Sequence, residues 1–263
     1  MKATGSYWEA LALHLHGLEQ HVSVTNPARI RAFAQSELLR TKTDAVDAAL
    51  SARFCKRQSP ELWVPPPPAI RVLQAIMRHY DHLKTTRVQQ SVYAQSSDAA
   101  IVTASIREVI ATLDEQIAQV ERKIRQYFDD HPDLKRRRDL LTSIPGIGET
   151  TAGSIRSEIP HLDRFQSAKA VAAFAGLSPR ERRSGTSIHG RPRLCKTGNA
   201  RIRKALYMPA MVALRFNPIL RTFAERLVAA GKHKRLVIGW LCVNSWSSPL
   251  AFSDRVPFDA NYA

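Results

Sequence analysis

The 263-residue chain is long enough to bury one large core or two modest ones, and its formal net charge of +16 predicts a polyanionic partner, nucleic acid before an acidic membrane surface. Its three cysteines, Cys55, Cys195 and Cys242, lack CxxC spacing, which excludes a disulfide framework or a zinc module and fits a reducing cytoplasm. The apolar runs fall short of a membrane span and no leader pattern opens the sequence, so we expect a cytoplasmic protein without a membrane partner.

Residues 1–58 are predicted to form a partial α/β domain. An amphipathic helix around residues 8–18 precedes the alternating run "HVSVTN" at 21–26, which has the pattern of a strand. Helical "PARIRAFAQSELLR" follows, and a second helix is expected to begin near Asp44. Thr41, three residues earlier, would complete a capping box there.

A Pro-rich linker over residues 59–70, containing "WVPPPP", is predicted to separate this domain from a coiled-coil helical region at 71–132. In that region apolar residues recur at alternating spacings of four and three: Ile106, Ile110, Leu113, Ile117, Val120, Ile124 and Tyr127. A shorter stretch with the same pattern lies at 73–83. The spacing predicts an antiparallel helical hairpin or a coil between molecules, although a core-facing helix of an ordinary bundle would also have it.

Residues 133–263 are predicted to be a helical C-terminal domain that carries the whole charge surplus. From Lys135 to Trp240 there are 22 Lys and Arg against 6 Asp and Glu, whereas the remainder holds 17 of each. "TSIPGIGETTAGSIRSEI" at 142–159 has the pattern of a helix-hairpin-helix, in which Gly146 and Gly148 would let backbone amides approach a phosphate. Such turns also join helices for purely structural reasons. A neighbouring run of cations would add backbone contacts: Lys135, Arg136, Arg137 and Arg138.

The most basic stretch of the chain, residues 178–206, surrounds two serines, Ser184 and Ser187. Its cations are predicted to contact nucleic acid: Arg180, Arg182, Arg183, Arg191, Arg193, Lys196, Arg201 and Arg203. Arginine donates paired hydrogen bonds to phosphate oxygens, and such donors could stabilise the oxyanion formed when a serine attacks a phosphodiester. From the residues alone, a Ser-Gly turn in a basic loop is the commoner reading.

Several motifs in order resemble the DEDD-type insertion-sequence transposases. They are "NPARIRAFAQSELLRTKTDAVDAALSARF", "IPGIGETTA", "AFAGLSPRERRSG", "KTGNARIRKALYMPA" and "RFNPILRTFAERL". The resemblance covers residues 1 to about 239. It implies a RuvC-like N-terminal domain, a C-terminal transposase domain, and an oligomeric DNA recombinase guided, in studied members, by an element-encoded bridge RNA.

The resemblance also assigns residues. In this family acidic residues hold Mg²⁺ and a serine attacks DNA, which implies Ser184 as the nucleophile, with Ser187 as the alternative. Asp44 and Asp47, three apart on one helical face, match the closing pair of metal-binding aspartates. The fold class expected overall is mostly α, with a truncated RNase H/RuvC-like α/β part, central coiled-coil helices and a helical C-terminal domain.

The acidic half departs from the family pattern. A first-strand segment bearing an aspartate is missing, and Lys2 stands where the family has the acid before "ATG". A cation there would repel the metal. We therefore expect an N-terminally truncated copy, and three hypotheses stay open: an active recombinase using Ser184, a non-catalytic nucleic-acid-binding protein that interferes with a full-length relative by mixed oligomers, and a remnant without function.

Overall fold

A computed structural model describes residues 1–5, 7–41, 43–144, 146–161, 165, 167–184, 188–231 and 237–239, with the backbone alone at 168, 181–184 and 188–192. These residues are mostly helical, as predicted. The helices are α1 (Tyr7–Gly17), α2 (Pro27–Ser36), α3 (Asp44–Gln58), α4 (Pro68–Ser96), α5 (Ala100–Asp129), α6 (Pro132–Thr142), α7 (Glu149–Glu158), α8 (Ala168–Ala175), α9 (Ala200–Phe216) and α10 (Pro218–Ala229). Strands β1 (Pro179–Ser184) and β2 (Ile188–Leu194) pair antiparallel.

Two compact units divide the chain, Met1–Pro66 and Pro67–Ala263. The division falls inside the Pro-rich run expected to be a linker. Helix α4 begins at Pro68, two residues before the expected end of that linker at 70. Proline is well tolerated in the first helical turn, because the amide that it lacks has no intrahelical acceptor there. The proline run therefore both interrupts the preceding structure and starts the next helix.

Helices α1 to α3 build the first unit. Ile30, Leu50 and Phe54 form a small buried cluster, and Trp8 packs edge-on against Trp63 with ring centroids 5.7 Å apart. The run predicted as a strand at 21–26 forms one isolated parallel bridge, between Thr25 and Lys2. A sheet needs consecutive paired residues. The α/β character expected of residues 1–58 is thus limited, in the described part of the chain, to that single bridge.

Helix α3 begins at Asp44, as the sequence predicts. Its cap, however, is Thr43, whose hydroxyl accepts a hydrogen bond from the Val46 amide at 3.3 Å. The capping box expected from Thr41 was therefore wrong: Thr43 is the residue directly before the helix, so its hydroxyl reaches the first free amides. Asp44 and Asp47 both lie in the first turn, where carboxylates complement the helix dipole.

Helices α4 and α5 lie antiparallel along each other and form the long hairpin of the second unit. The Tyr127 hydroxyl donates to the Ala69 carbonyl at 2.8 Å, near the base of the hairpin, and Arg87 pairs with Asp114 at 2.9 Å, farther along it. The predicted apolar seam lies between the helices, and its fully buried member Ile124 shows that the spacing marks a contact face. Of the arrangements that the spacing allowed, the structure contains the antiparallel hairpin within one chain.

The remaining helices enclose a further buried cluster, which begins at Leu141 on α6 and extends through Leu227 on α10 to Val237. Asn199 and Asn217 cap α9 and α10, each through a side-chain oxygen that accepts two backbone amides. Among the residues that the structure describes, no helix is both long enough and apolar enough to cross a bilayer.

Candidate nucleic-acid interface

The basic segment around Ser184 is a two-stranded ribbon formed by β1 and β2, not the loop expected. Arg180 pairs with Arg193 across the ribbon, and Ser184 pairs with Ile188. Ser184 is the last residue of β1, so the predicted nucleophile lies at the end of a strand. Ser187 lies outside the described residues. No strand was predicted here, because the segment lacks the alternation of apolar and polar residues that marks a half-buried strand.

A bulge interrupts the ribbon between Arg180 and Arg182, where the register shifts. Arg182 pairs with Gly190, so one residue of β1 faces two of β2, Arg191 and Pro192. Proline cannot donate to a strand ladder, and bulges are among the few positions where a strand accepts it. The bulge thus accommodates Pro192 and adds twist to the ribbon.

Backbone hydrogen bonds fix the base of the ribbon to α8. The Cys195 amide donates to the Ser178 carbonyl at 2.9 Å, and the Asn199 amide to the Phe174 carbonyl at 2.7 Å. Gly176 ends α8 with φ +69°, a left-handed conformation that favours glycine. Gly198 lies so close to α8 that an added Cβ would be 2.4 Å from the Phe174 carbonyl oxygen. The ribbon therefore projects from a tightly packed junction.

The predicted cations near this junction differ in their surroundings. Arg180, Arg193 and Lys196 are exposed. Arg201 pairs with Glu158 at 3.6 Å, and Arg203 donates to the Ala175 carbonyl at 2.7 Å. For the other strand arginines the structure gives backbone positions alone: Arg182, Arg183 and Arg191. The exposed cations at the base of the ribbon are thus available to a polyanion, whereas Arg201 and Arg203 also tie α9 to its neighbours.

Two residues of this region have surroundings that the sequence did not predict. Asn199 caps α9 and donates from its amide to Glu158 at 2.7 Å. The pKa of Cys195 lies below its ordinary value, first because of hydrogen bonding to Thr197 and also because of the positive charge of Arg180. The cap of α9 could have been read from "TGNAR", since Asn before a helix is a common cap. The groups that lower the pKa of Cys195 could not be predicted in the same way, because the fold brings Arg180 close to it.

The four cations of α6 do not form one surface. Arg136 and Arg137 are exposed. Lys135 pairs with Asp129 at 2.9 Å, and this ammonium is the leading cause of the lowered pKa of Asp129. Arg138 is buried, at 9% exposure. Its guanidinium stacks on the Phe128 ring at 5.6 Å and contacts three carboxylates, those of Asp129, Asp139 and Glu149.

The two glycines of the "PGIG" turn face different surroundings, and Pro145 between α6 and α7 lies outside the described residues. Gly146 has φ +92°, and an added Cβ would approach the Val212 side chain at 3.0 Å and the Pro209 carbonyl at 3.2 Å. Around Gly148, the residue that precedes α7, the space is open. Gly146 thus lets the turn pack against α9, and of the two only Gly148 leaves room for a ligand.

The two aspartates of the first unit lie beside a cation. The Lys2 ammonium is 3.7 Å from an Asp47 carboxylate oxygen, and both side chains are about two-fifths exposed, at 37% and 42%. Lys2 is held there by backbone pairing, since the Ala3 amide donates to the Thr25 carbonyl at 3.0 Å. Asp44 is exposed one turn from Asp47.

These residues do not fit a divalent metal. Mg²⁺ is held by carboxylate oxygens and water, and the ammonium of Lys2 lies against one of the two carboxylates on offer. Within the described ranges, no group of three or more His, Cys, Asp or Glu side chains could hold a metal ion. The role of Asp44 and Asp47 as metal ligands stays a prediction from the resemblance, and the Lys2 ammonium beside Asp47 opposes it.

Comparison with protein families gives two matches. Residues 138–225 match the model described as "Transposase IS116/IS110/IS902 family", and residues 1–97 match a transposase model named for the DEDD domain of IS110. The first match contains the "PGIG" turn, the ribbon and α9, and the second contains Lys2, Asp44 and Asp47.

Individual relatives extend the likeness along the chain. A pilin gene-inverting protein of Moraxella bovis is 35% identical over 239 residues, which cover 90% of this chain and 74% of the relative. An uncharacterized 43.6 kDa protein of insertion element IS110 from Streptomyces coelicolor is 32% identical over 132 residues, 50% of this chain and 31% of the relative. A transposase for insertion sequence element IS1111A from Coxiella burnetii is 29% identical over 129 residues, 46% and 34% of the two chains.

Proposed function

Because the chain belongs to the IS116/IS110/IS902 family of transposases, we propose that it is a DNA recombinase that binds DNA through its second unit and attacks it with Ser184. The observation that supports this most directly is the position of Ser184 at the end of β1, in a ribbon whose base carries the exposed Arg180, Arg193 and Lys196. The organisation proposed is 1–58 RuvC-like, 59–70 linker, 71–132 coiled-coil helices and 133–263 transposase domain.

The step assigned to Ser184 is a transesterification. Its Oγ forms a bond to a backbone phosphorus while one P–O bond of the same phosphate breaks, and the serine proton passes through solvent to the leaving oxygen. A hydroxyl is a weak nucleophile and needs cationic donors for the pentavalent oxyanion. The arginines of the ribbon are the donors proposed, with Arg182, Arg183 and Arg191 joining those at its base.

We further propose that the chemistry of this copy is impaired. By resemblance to the family, Asp44 and Asp47 would help to hold Mg²⁺, which supplies Lewis-acid stabilisation when bound. The Lys2 ammonium beside Asp47 opposes the binding of that cation. We expect the full chain to bind a DNA duplex with an affinity that falls steeply as salt rises. Incubation with labelled DNA and Mg²⁺ should leave no covalent adduct on denaturing gels. An adduct on the unaltered chain that Ser184→Ala removes would contradict the impairment; an adduct that survives Ser184→Ala would contradict the nucleophile.

Exchanging Lys2 for glutamate tests the metal argument independently of activity. Lys2→Glu adds a carboxylate beside Asp47, so we expect affinity for Mn²⁺ to rise at least about tenfold, measured by paramagnetic resonance of free Mn²⁺. Lys2→Met is the matched control, because it removes the cation without adding a ligand. Asp47→Asn in the Lys2→Glu background should abolish the gain. Tight Mn²⁺ binding by the unaltered chain that Asp47→Asn removes would overturn the proposal.

The second candidate is a nucleic-acid-binding protein that assembles with other copies and does not cut. The far half of the long hairpin supports it, because beyond Leu83 on α4 and before Ile117 on α5 the one buried residue is Ile106. Exposed apolar side chains lie there: Val88, Val92, Tyr93, Ile101 and Val109. A second hairpin would cover them, giving a homo-oligomer or a mixed oligomer with an active relative. The basic residues of the second unit would also accept a structured guide RNA.

A further inference from the structure

The ribbon contains a pair of like charges directly across from each other. Arg180 of β1 and Arg193 of β2 are register partners, and both are exposed. Among the described residues neither guanidinium is within ion-pair distance of a carboxylate, whereas Arg201, at the start of α9, pairs with Glu158. The feature that sets this pair apart is therefore its register: two arginines lie directly across from each other, with no described counter-charge.

This arrangement is unfavourable in the free protein. Like charges directly opposite on adjacent strands destabilise the pairing, and an isolated two-stranded ribbon is marginal. The base of the ribbon is nevertheless fixed, since the Cys195 amide donates to the Ser178 carbonyl and the Lys196 amide to the Gly176 carbonyl, each at 2.9 Å. The backbone therefore holds the two Cα positions opposite each other, which puts both side chains on one face of the ribbon, at a cost that a bound anion would relieve.

We propose that Arg180 and Arg193 form a two-arginine clamp for one backbone phosphate of the bound nucleic acid. The inference rests on the proposed nucleic-acid binding and adds to it a specific contact. Guanidinium groups match phosphate geometry through paired N–H donors, and two of them converging on one phosphate exchange mutual repulsion for attraction. The clamp lies at the base of the strand that ends in Ser184, so it positions the DNA backbone relative to that residue.

Charge reversal at Arg193 separates this role from a structural one. Arg193→Glu places opposite charges across the ribbon, so the free full-length chain should keep its melting temperature or gain about 1–2 °C. Its affinity for a short fluorescent duplex of arbitrary sequence should nonetheless fall at least about tenfold at low salt, with the slope of log K against log salt reduced by about one. Arg180→Glu should reproduce both results.

Arg107→Glu is the matched control, since it makes the same change in net charge at an exposed position of α5. It should lower the affinity by a factor of two or less. Equal losses for Arg107→Glu and Arg193→Glu would overturn the clamp and leave a general charge effect, with the proposed function intact. A fall in melting temperature in both ribbon variants would assign the arginines to folding and also overturn it. A full-length chain that binds no duplex or structured RNA would overturn the proposed function itself.

Discussion

Gly198→Ala is expected to destabilise the second unit by at least about 3 kcal/mol. An added Cβ would lie 2.4 Å from the Phe174 carbonyl oxygen and 2.6 Å from the Gly176 amide nitrogen, and both are backbone atoms. Neither can move without displacing the end of α8, whose last turn contributes Ala172 and Ala175 to the buried cluster that begins at Leu141. Urea denaturation of the full chain, followed by far-ultraviolet circular dichroism, measures the loss.

Gly17→Ala is the control for this substitution. Gly17 ends α1 in the other unit, and no atom lies within 4 Å of the place its Cβ would take. Alanine favours helix over glycine, so the variant should match the unaltered chain or be more stable by up to about 1 kcal/mol. If Gly198→Ala proved as mild as Gly17→Ala, the close packing of α8 against the start of α9 would be refuted.

Arg138→Met is expected to destabilise the second unit by about 2–3 kcal/mol. Methionine keeps most of the apolar stem against Phe128, so the loss isolates the guanidinium. Removing it leaves the carboxylates of Asp129, Asp139 and Glu149 without a shared cation. Breaking a buried ion pair costs about 3–5 kcal/mol, and the figure here is lower because the three carboxylates are 41–56% exposed.

Arg137→Met, at the exposed neighbouring position, provides the comparison. It should change stability by about 0.5 kcal/mol or less and weaken DNA binding, because that side chain faces solvent. Arg138→Met should have the opposite pair of effects: the stability should fall, and the folded fraction should keep its affinity for DNA. Equal losses of DNA affinity in the two variants at a temperature where both are folded would show that Arg138 contacts DNA as the sequence analysis expected.

Local patterns in the sequence predicted most helices well. The seam from Ile106 to Tyr127 follows from alternating spacings of four and three, a pattern that acts over one or two turns. The start of α3 at Asp44 was also predicted, although Thr43 and not Thr41 caps it. The ribbon could not be predicted this way, because its strands are held by pairing between residues up to 15 positions apart, such as Pro179 and Leu194. Its stability comes from the backbone and from the junction beneath it.

For the candidate site, the sequence predicted which types of residue are present but not what each side chain contacts. A run of four cations on α6 does not reveal that Arg138 points into three acids while Arg136 and Arg137 stay in solvent. Gly146 and Gly148 are equivalent in sequence, yet only the first packs against α9. These differences arise from tertiary neighbours, which no spacing rule contains. The resemblance placed Lys2 in the position of an acid, but only the structure shows that Lys2 lies beside Asp47.

Because burial is uneven along the long hairpin, the free energy of local unfolding differs between its two ends. Near α6 and α7, residues such as Leu73, Ile124 and Phe128 are fully buried, and their amides become accessible only when the whole unit unfolds. Around Ile101, which is 82% exposed, two helices alone support each other, so fraying there costs little. Ordering of the far half by a bound partner would therefore slow amide exchange at that end selectively. Amides at the base of the hairpin would exchange as before, because assembly through the far half would leave the stability of the rest of the second unit unchanged.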